Sequence, residues 1–176
     1  MKLFGFAGWS GSGKTTVIEQ VIPHLRSHGL SVSLIKHAHH AFDIDQPGKD
    51  SWRHRQAGSG EVLITSSVRW ALMHELRGEP EMTLPQALRR LSPCDLVLIE
   101  GYKTSAIPKL EIHRPAIGKT LLFPDDPRII GLATDAPALF VNAYLPVLDL
   151  SNAKAISAFV IAHCTELVID KLPSNL

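Results

Sequence analysis

Eight consecutive residues, Gly8-Trp9-Ser10-Gly11-Ser12-Gly13-Lys14-Thr15, have the types and spacing of a loop that holds phosphate. They satisfy G-x-x-x-x-G-K-[ST], and each position has a mechanical reason. Glycines let the backbone turn its N–H groups inward around an anion, in conformations that side chains obstruct. Lys14 is placed to reach the β- and γ-phosphates, and the Thr15 hydroxyl to coordinate Mg²⁺. From average residue usage, a chance match in a chain of 176 residues arises in about 1% of cases. The elements around the loop fit. Residues 2–7 form an apolar run suited to a buried strand, and Val17, Ile18, Val21, Ile22 and Leu25 recur at helical spacing up to Gly29. Strand, glycine loop and helix together aim a helix N-terminus at phosphate.

A second chemical candidate is acidic. Asp95-Leu96-Val97-Leu98-Ile99-Glu100 reads as a central parallel strand ending in an acid, the Walker B arrangement with Glu in place of the more usual Asp. Ligands of open α/β sheets bind beyond the carboxyl ends of the strands. Glu100 lies at that edge, whereas Asp95 begins the strand roughly 16 Å away at about 3.3 Å per residue. Glu100 is therefore the expected Mg²⁺ or water-orienting group, the alternative being a surface acid at a strand end. The segment from Lys36 to Asp45 leaves another strand at the same edge, so Asp43 or Asp45 is able to approach the metal or the attacking water. His37, His39 and His40 invite a transition-metal reading, but no converging cluster of Cys or His accompanies them, which favours solvated or phosphate-contacting histidines. Lys49, Arg53, His54 and Arg55 either add positive charge over a polyphosphate or form a solvated helix face. Asp135, after a late strand, is placed where an acid can accept two hydrogen bonds from guanine. No N-K-x-D signature supports it, and an ordinary Asx turn is the competing reading. Gly118-Lys119-Thr120 only superficially resembles a second phosphate loop, because His113 stands where its first glycine belongs.

The remaining elements must position these groups. Residues 31–36 alternate and read as a strand; Asp50 is a candidate cap for a short helix through Ala57; residues 61–65 and 68–73 read as two strands. Thr83-Leu84-Pro85-Gln86 offers a capping box, with Leu84, Leu88 and Leu91 on one face. Residues 109–113 alternate like an edge strand stopped by Pro115, residues 129–133 and 139–141 supply short final strands, and Ser151 or Asn152 caps a last helix. Strands interleaved with helices predict an α/β fold of the P-loop NTPase type: a three-layer sandwich with a mostly parallel sheet and an antiparallel hairpin near residues 61–73. One nucleotide-binding domain over residues 1–170 is expected, followed by a flexible tail at 171–176.

Composition sets outer bounds. Hydrophobic content of 45% and charged content of 20% describe a soluble globular protein, and a formal charge of +1 gives no electrostatic case for nucleic acid or an anionic membrane. The two cysteines, Cys94 and Cys164, are far apart and suit a reducing cytoplasm. Neither a signal peptide nor a membrane-spanning stretch is expected.

Four blocks in order resemble the MobB family of molybdopterin-guanine dinucleotide biosynthesis adapter proteins. They are Gly8 through Thr16, the stretch from Lys36 to Asp45, Gly48-Lys49-Asp50-Ser51 with Arg53, and Leu98-Ile99-Glu100-Gly101-Tyr102-Lys103. The likeness spans roughly residues 1–165. It implies a cytoplasmic, homodimeric protein that binds GTP and Mg²⁺, with feeble intrinsic GTPase activity. The implied partner is a MobA-type molybdenum cofactor guanylyltransferase, with molybdopterin or a molybdoenzyme as further partners. It also implies that Gly8, Trp9, Ser10, Gly11, Ser12, Gly13, Lys14, Thr15 and Thr16 bind the nucleotide, and that Thr15, Asp45 and Glu100 serve the metal or the water. Two other classes compete. A small-molecule kinase would use Arg69–Arg90 as a lid, and a metal-delivery GTPase would use His37, His39 and His40.

Overall fold

The computed structural model describes residues 1–38 and 42–166, so His39, His40 and the tail at 171–176 lie outside the described residues. The chain packs as two compact units, one formed by Met1–His37 with the segment from Thr83 onward, the other by Ala38–Met82.

The first unit is built on a sheet. Its strands are β1 (Lys2–Ala7), β2 (Val32–Lys36), β5 (Leu96–Glu100), β6 (Lys109–His113), β7 (Ile129–Thr134) and β8 (Val147–Asp149), in the spatial order β2-β5-β1-β6-β7-β8. All these pairings are parallel, and a short β9 (Thr165–Glu166) runs antiparallel to the start of β1. Side-chain alternation separates two cores. On one face, Phe4 and Phe6 of β1 and Leu96 and Leu98 of β5 pack with Val17, Ile18, Val21 and Leu25 of helix α1 (Lys14–Ser27) and with Ile156, Phe159 and Val160 of α4 (Ala153–His163). On the other, Leu3, Val97 and Ile99 pack with Leu84 and Leu88 of α3 (Leu84–Arg90). Helices on both faces of a mostly parallel sheet make the expected three layers. Each such fully buried aliphatic or aromatic side chain contributes roughly 1.5–3 kcal/mol.

Local signals explain the ends of the elements. Thr83 and Gln86 close a capping box at α3, and the Asn152 side chain accepts the Ala155 N–H at the start of α4. Gly131 in β7 admits a helix close to the sheet, since a Cβ there would lie 2.7 Å from Cζ of Phe159.

Two expectations for this unit fail. Residues 109–113 are not an edge strand: β6 lies between β1 and β7 and is wholly buried. Two of its three polar alternate residues have hydrogen-bonding partners inside the protein, while the buried Nδ1 of His113 has none. Lys109 Nζ donates to Asp126 Oδ2 (2.7 Å), and Glu111 accepts the N–H groups of Leu122 and Phe123 (both 2.9 Å). Residues 139–141 are not a strand either. A 3-10 turn covers Pro137–Phe140, started by a proline that cannot donate to a ladder, and the last parallel strand is β8.

The second unit holds α2 (Asp50–Gln56) and an antiparallel hairpin of β3 (Glu61–Thr65) with β4 (Trp70–His74). Lys49, not Asp50, occupies the cap position of α2; Asp50 is the first helical residue, where its charge favours the helix N-terminus. This unit has little core of its own. Met73 is its buried hydrophobic residue among those described, whereas Leu63, Val68 and Trp70 are exposed, Val68 by 80%.

Candidate functional site

The loop between β1 and α1 has the backbone its sequence demands. Gly8, Gly11 and Gly13 have φ of 144°, 81° and 93°, values that L side chains rarely adopt. At Gly8 the restriction is also steric, because a Cβ would lie 2.5 Å from the Ile112 carbonyl oxygen and 2.8 Å from Ser12 Oγ. No side chain caps the N-terminus of α1 and no acid occupies its first turn, so its amides and partial positive charge face the loop unopposed. Ser12 is fully buried beneath the loop, and its Oγ has no hydrogen-bond partner. A buried orphan hydroxyl inside a cradle of amides is what a phosphate oxygen would satisfy.

The charged groups converge at the carboxyl ends of the strands. Register sets Glu100 beside Lys36 of β2 and Phe6 of β1, two residues ahead of Gly8. Thr15 Oγ1 donates to Glu100 Oε1 (3.1 Å), and Lys36 Nζ lies 3.5 Å from Glu100 Oε2 and 3.4 Å from Thr15 Oγ1. Glu100 is buried, with a side chain only 8% exposed. A hydroxyl and a buried carboxylate in contact form a hard-oxygen set suited to Mg²⁺, which takes few protein ligands and leaves the rest to water and phosphate. Lys14 Nζ donates to the carbonyls of Gly8 and Trp9, both at 2.9 Å, so its ammonium is held across the loop mouth. Burial pushes its pKa below the ordinary lysine value; Glu100 opposes that shift, and Lys103 and Lys36 add to it. An anion would restore the balance.

Residues from later strands brace the loop. Arg114 donates from Nε to the Ser12 carbonyl (3.2 Å) and from Nη1 to Asp135 Oδ2 (2.7 Å). Asp135 is thus tied to the loop through an arginine that sequence reasoning missed, being 102 residues from Ser12. The Asx turn considered for Asp135 is replaced by a bond from Ala136 N–H to Thr134 Oγ1 (3.3 Å). Trp9 donates its indole N–H to the Thr120 carbonyl (2.8 Å), which gives the Gly118-Lys119-Thr120 segment a supporting role. Asp95, as reasoned, faces the other edge, where it accepts the N–H (2.8 Å) and hydroxyl (2.5 Å) of Ser31.

Asp45 belongs to the second unit, where Arg55 organises the acids. The guanidinium contacts Asp45, Asp43 (2.6 Å) and Glu75 (2.6 Å) while only 10% exposed. The Arg55 hydrogen bond holds the Asp45 carboxyl below its ordinary pKa, with further help from Asp43 and Ser51 against desolvation. Arg55 is accordingly a hub for carboxylates rather than a solvated residue, and only its position in a basic cluster hinted at it. The stretch considered as a kinase lid comprises β4, the following turn and α3. Among the described residues no group of three or more His, Cys, Asp or Glu side chains is placed to hold a metal. Nor, among them, is any helix long and apolar enough to cross a membrane.

Known proteins resemble the chain over nearly all its length. The family model of molybdopterin guanine dinucleotide synthesis protein B matches residues 3–135. The molybdopterin-guanine dinucleotide biosynthesis adapter protein of Escherichia coli (strain K12) is 38% identical over 164 residues, covering 90% of this chain and 91% of that protein. Its counterpart in Haemophilus influenzae is 41% identical over 160 residues, covering 90% and 86%. The crystal structure of Bacillus subtilis MobB shares the fold at a TM-score of 0.71 and 21% identity, covering 95% of this chain and all of that one. The matched span includes the phosphate loop and the strand ending in Glu100, the relatives agree with it, and the chain belongs to the MobB family.

Proposed function

We propose that this chain is a GTP-binding accessory protein of molybdopterin guanine dinucleotide synthesis. It acts on a MobA-type guanylyltransferase and carries at most a slow GTPase activity. The observation that carries the reading is the glycine cradle over the orphan Ser12 hydroxyl, with Thr15 and Glu100 in contact beside it. In this reading residues Gly8 through Thr16 hold the phosphates. Thr15 and Glu100 hold Mg²⁺, which when bound shields the phosphate charge. Lys14 exchanges its two loop carbonyls for phosphate oxygens. Guanine, which the names of the relatives contain, is assigned to Asp135, an exposed carboxylate at the end of β7 that would trade Arg114 for the base. Asp45 is assigned to the metal or the attacking water and would have to leave Arg55 to serve there.

Slow hydrolysis follows from the polar groups at the loop. Arg114, an arginine that touches the loop, keeps its Nε on the Ser12 carbonyl when Asp135 turns to the base, which holds it back from charge developing on a transferred phosphoryl group. The exposed apolar residues of the β3–β4 hairpin support a homodimer, because a two-stranded sheet with so little core gains from a covering partner. A cytoplasmic setting, with molybdopterin or a molybdoenzyme as further partners, completes the proposal. Size-exclusion chromatography of the purified chain with a purified MobA-type guanylyltransferase tests it. Co-elution strengthened by Mg²⁺ and GTP is expected; separate elution with and without nucleotide would contradict the partnership.

A further inference from the structure

We propose that Lys103, docked on the indole of Trp9, is the residue through which the loop distinguishes a triphosphate from a diphosphate, moving from the ring to oxygens of the terminal phosphate. This inference rests on the nucleotide-binding reading above. Lys103 Nζ lies 4.6 Å from the centroid of the Trp9 ring, and Lys119 Nζ lies 5.8 Å from it. Two ammonium groups therefore converge on one indole, and that indole belongs to the residue directly after Gly8. The Trp9 carbonyl is one of the two that Lys14 holds, at 2.9 Å. Lys103 is also within electrostatic reach of Lys14, since it helps depress the Lys14 pKa after burial has done most of the work. Lys119 is farther from the ring, which singles out Lys103.

The backbone that carries Lys103 is fixed while its side chain is exposed. Lys109, itself buried in β6, donates to the Lys103 carbonyl at 2.6 Å and to Asp126 at 2.7 Å. The preceding residues adopt left-handed backbone, φ of 100° at Gly101 and 45° at Tyr102, the second uncommon for a residue with a side chain. Glu111, the next residue on the same face of β6, accepts the N–H groups of Leu122 and Phe123, just beyond Thr120, whose carbonyl receives the Trp9 indole N–H. Burial raises the Glu111 pKa, and those two N–H groups pull it back toward the carboxylate form. One strand thus anchors both loops around Trp9 and leaves only the lysine stem to move. A lysine on a partly exposed ring is weakly held, whereas a charge-assisted bond to phosphate is roughly twice as strong as a neutral hydrogen bond. A phosphate within reach of Lys14 would win the lysine.

The chain has three tryptophans, so a variant with Trp52→Phe and Trp70→Phe leaves Trp9 as the reporter. Its emission is followed during titration with Mg²⁺ and either GDP or a non-hydrolysable GTP analogue, with and without Lys103→Met. The analogue is expected to change Trp9 emission and GDP to leave it nearly unchanged. Lys103→Met should weaken the analogue about tenfold with little effect on GDP, the loss of one charge-assisted contact. Lys103→Arg should keep most of the discrimination. An unchanged ratio of analogue to GDP affinity in Lys103→Met, or equal emission changes with the two nucleotides, would overturn the proposal while leaving nucleotide binding intact. Failure of the parent protein to bind either nucleotide would instead remove the reading on which it rests, and this proposal with it.

Discussion

Lys14→Ala is expected to remove nucleotide binding almost entirely while the protein stays folded. The ammonium makes two bonds of 2.9 Å, both to loop carbonyls and neither to the apolar core, so the fold loses little when it goes. The two carbonyls lose a donor, but the desolvation that the partly buried ammonium suffers is relieved at the same time. A stability change of about 1 kcal/mol, the worth of an ordinary net hydrogen bond, is the expectation. Binding loses much more. Charge-assisted contacts to two phosphates, together with the charge itself, correspond to an affinity drop on the order of 10²–10³-fold. Thermal unfolding followed by circular dichroism and GTP titration separate the two effects. GTP affinity within a few-fold of the parent in a well-folded variant would contradict the assignment of Lys14.

Gly8→Ala is expected to damage both fold and site, through space rather than charge. A methyl group at this position would lie 2.5 Å from the Ile112 carbonyl oxygen and 2.8 Å from Ser12 Oγ, at a φ of 144°. The Ile112 carbonyl belongs to buried β6 and cannot retreat without disturbing the sheet. Left-handed strain and overpacking each cost about 1–3 kcal/mol, so the variant should lose roughly 2–6 kcal/mol of stability. Gly11→Ala is the internal comparison. Its added methyl would meet nothing within 4 Å, so it carries only the cost of a φ of 81°. Chemical denaturation of both variants measures the difference. Equal midpoints would show that close approach to β6 does not constrain the loop.

The parts of this molecule that were legible in its residues are those whose partners are near in sequence. The glycines of the loop, the spacing of Val17, Ile18, Val21 and Leu25, the run into Glu100 and the Thr83–Gln86 box each carry a local physical signature, and each is where the signature puts it. Strand β6 was misread because the alternation Lys109-Leu110-Glu111-Ile112-His113 normally marks one wet face. Here the polar face is dry, and its partners, Asp126 and the amides of Leu122 and Phe123, come from a loop that local periodicity does not reveal. The turn at Pro137–Phe140 deceived for a related reason: its apolar residues have strand composition without strand backbone.

The site shows the same division. The rule about carboxyl ends of strands converts order into position and puts Thr15 and Glu100 at one edge, where their side chains are in contact. Arg114 was invisible, since it links Ser12 to Asp135 across three separate segments of chain. Arg55 was seen only as one of several basic residues, and nothing in its own neighbourhood indicated that Asp43, Asp45 and Glu75 would gather on it.

Every role assigned to this chain requires that the loop between β1 and α1 take a magnesium-bearing guanine nucleotide. Isothermal titration of the parent chain with GTP and with ATP, each in the presence and absence of Mg²⁺, measures this. One GTP per chain is expected, bound more tightly with Mg²⁺ than without and more tightly than ATP; absence of binding, or a preference for ATP, would contradict the assigned site.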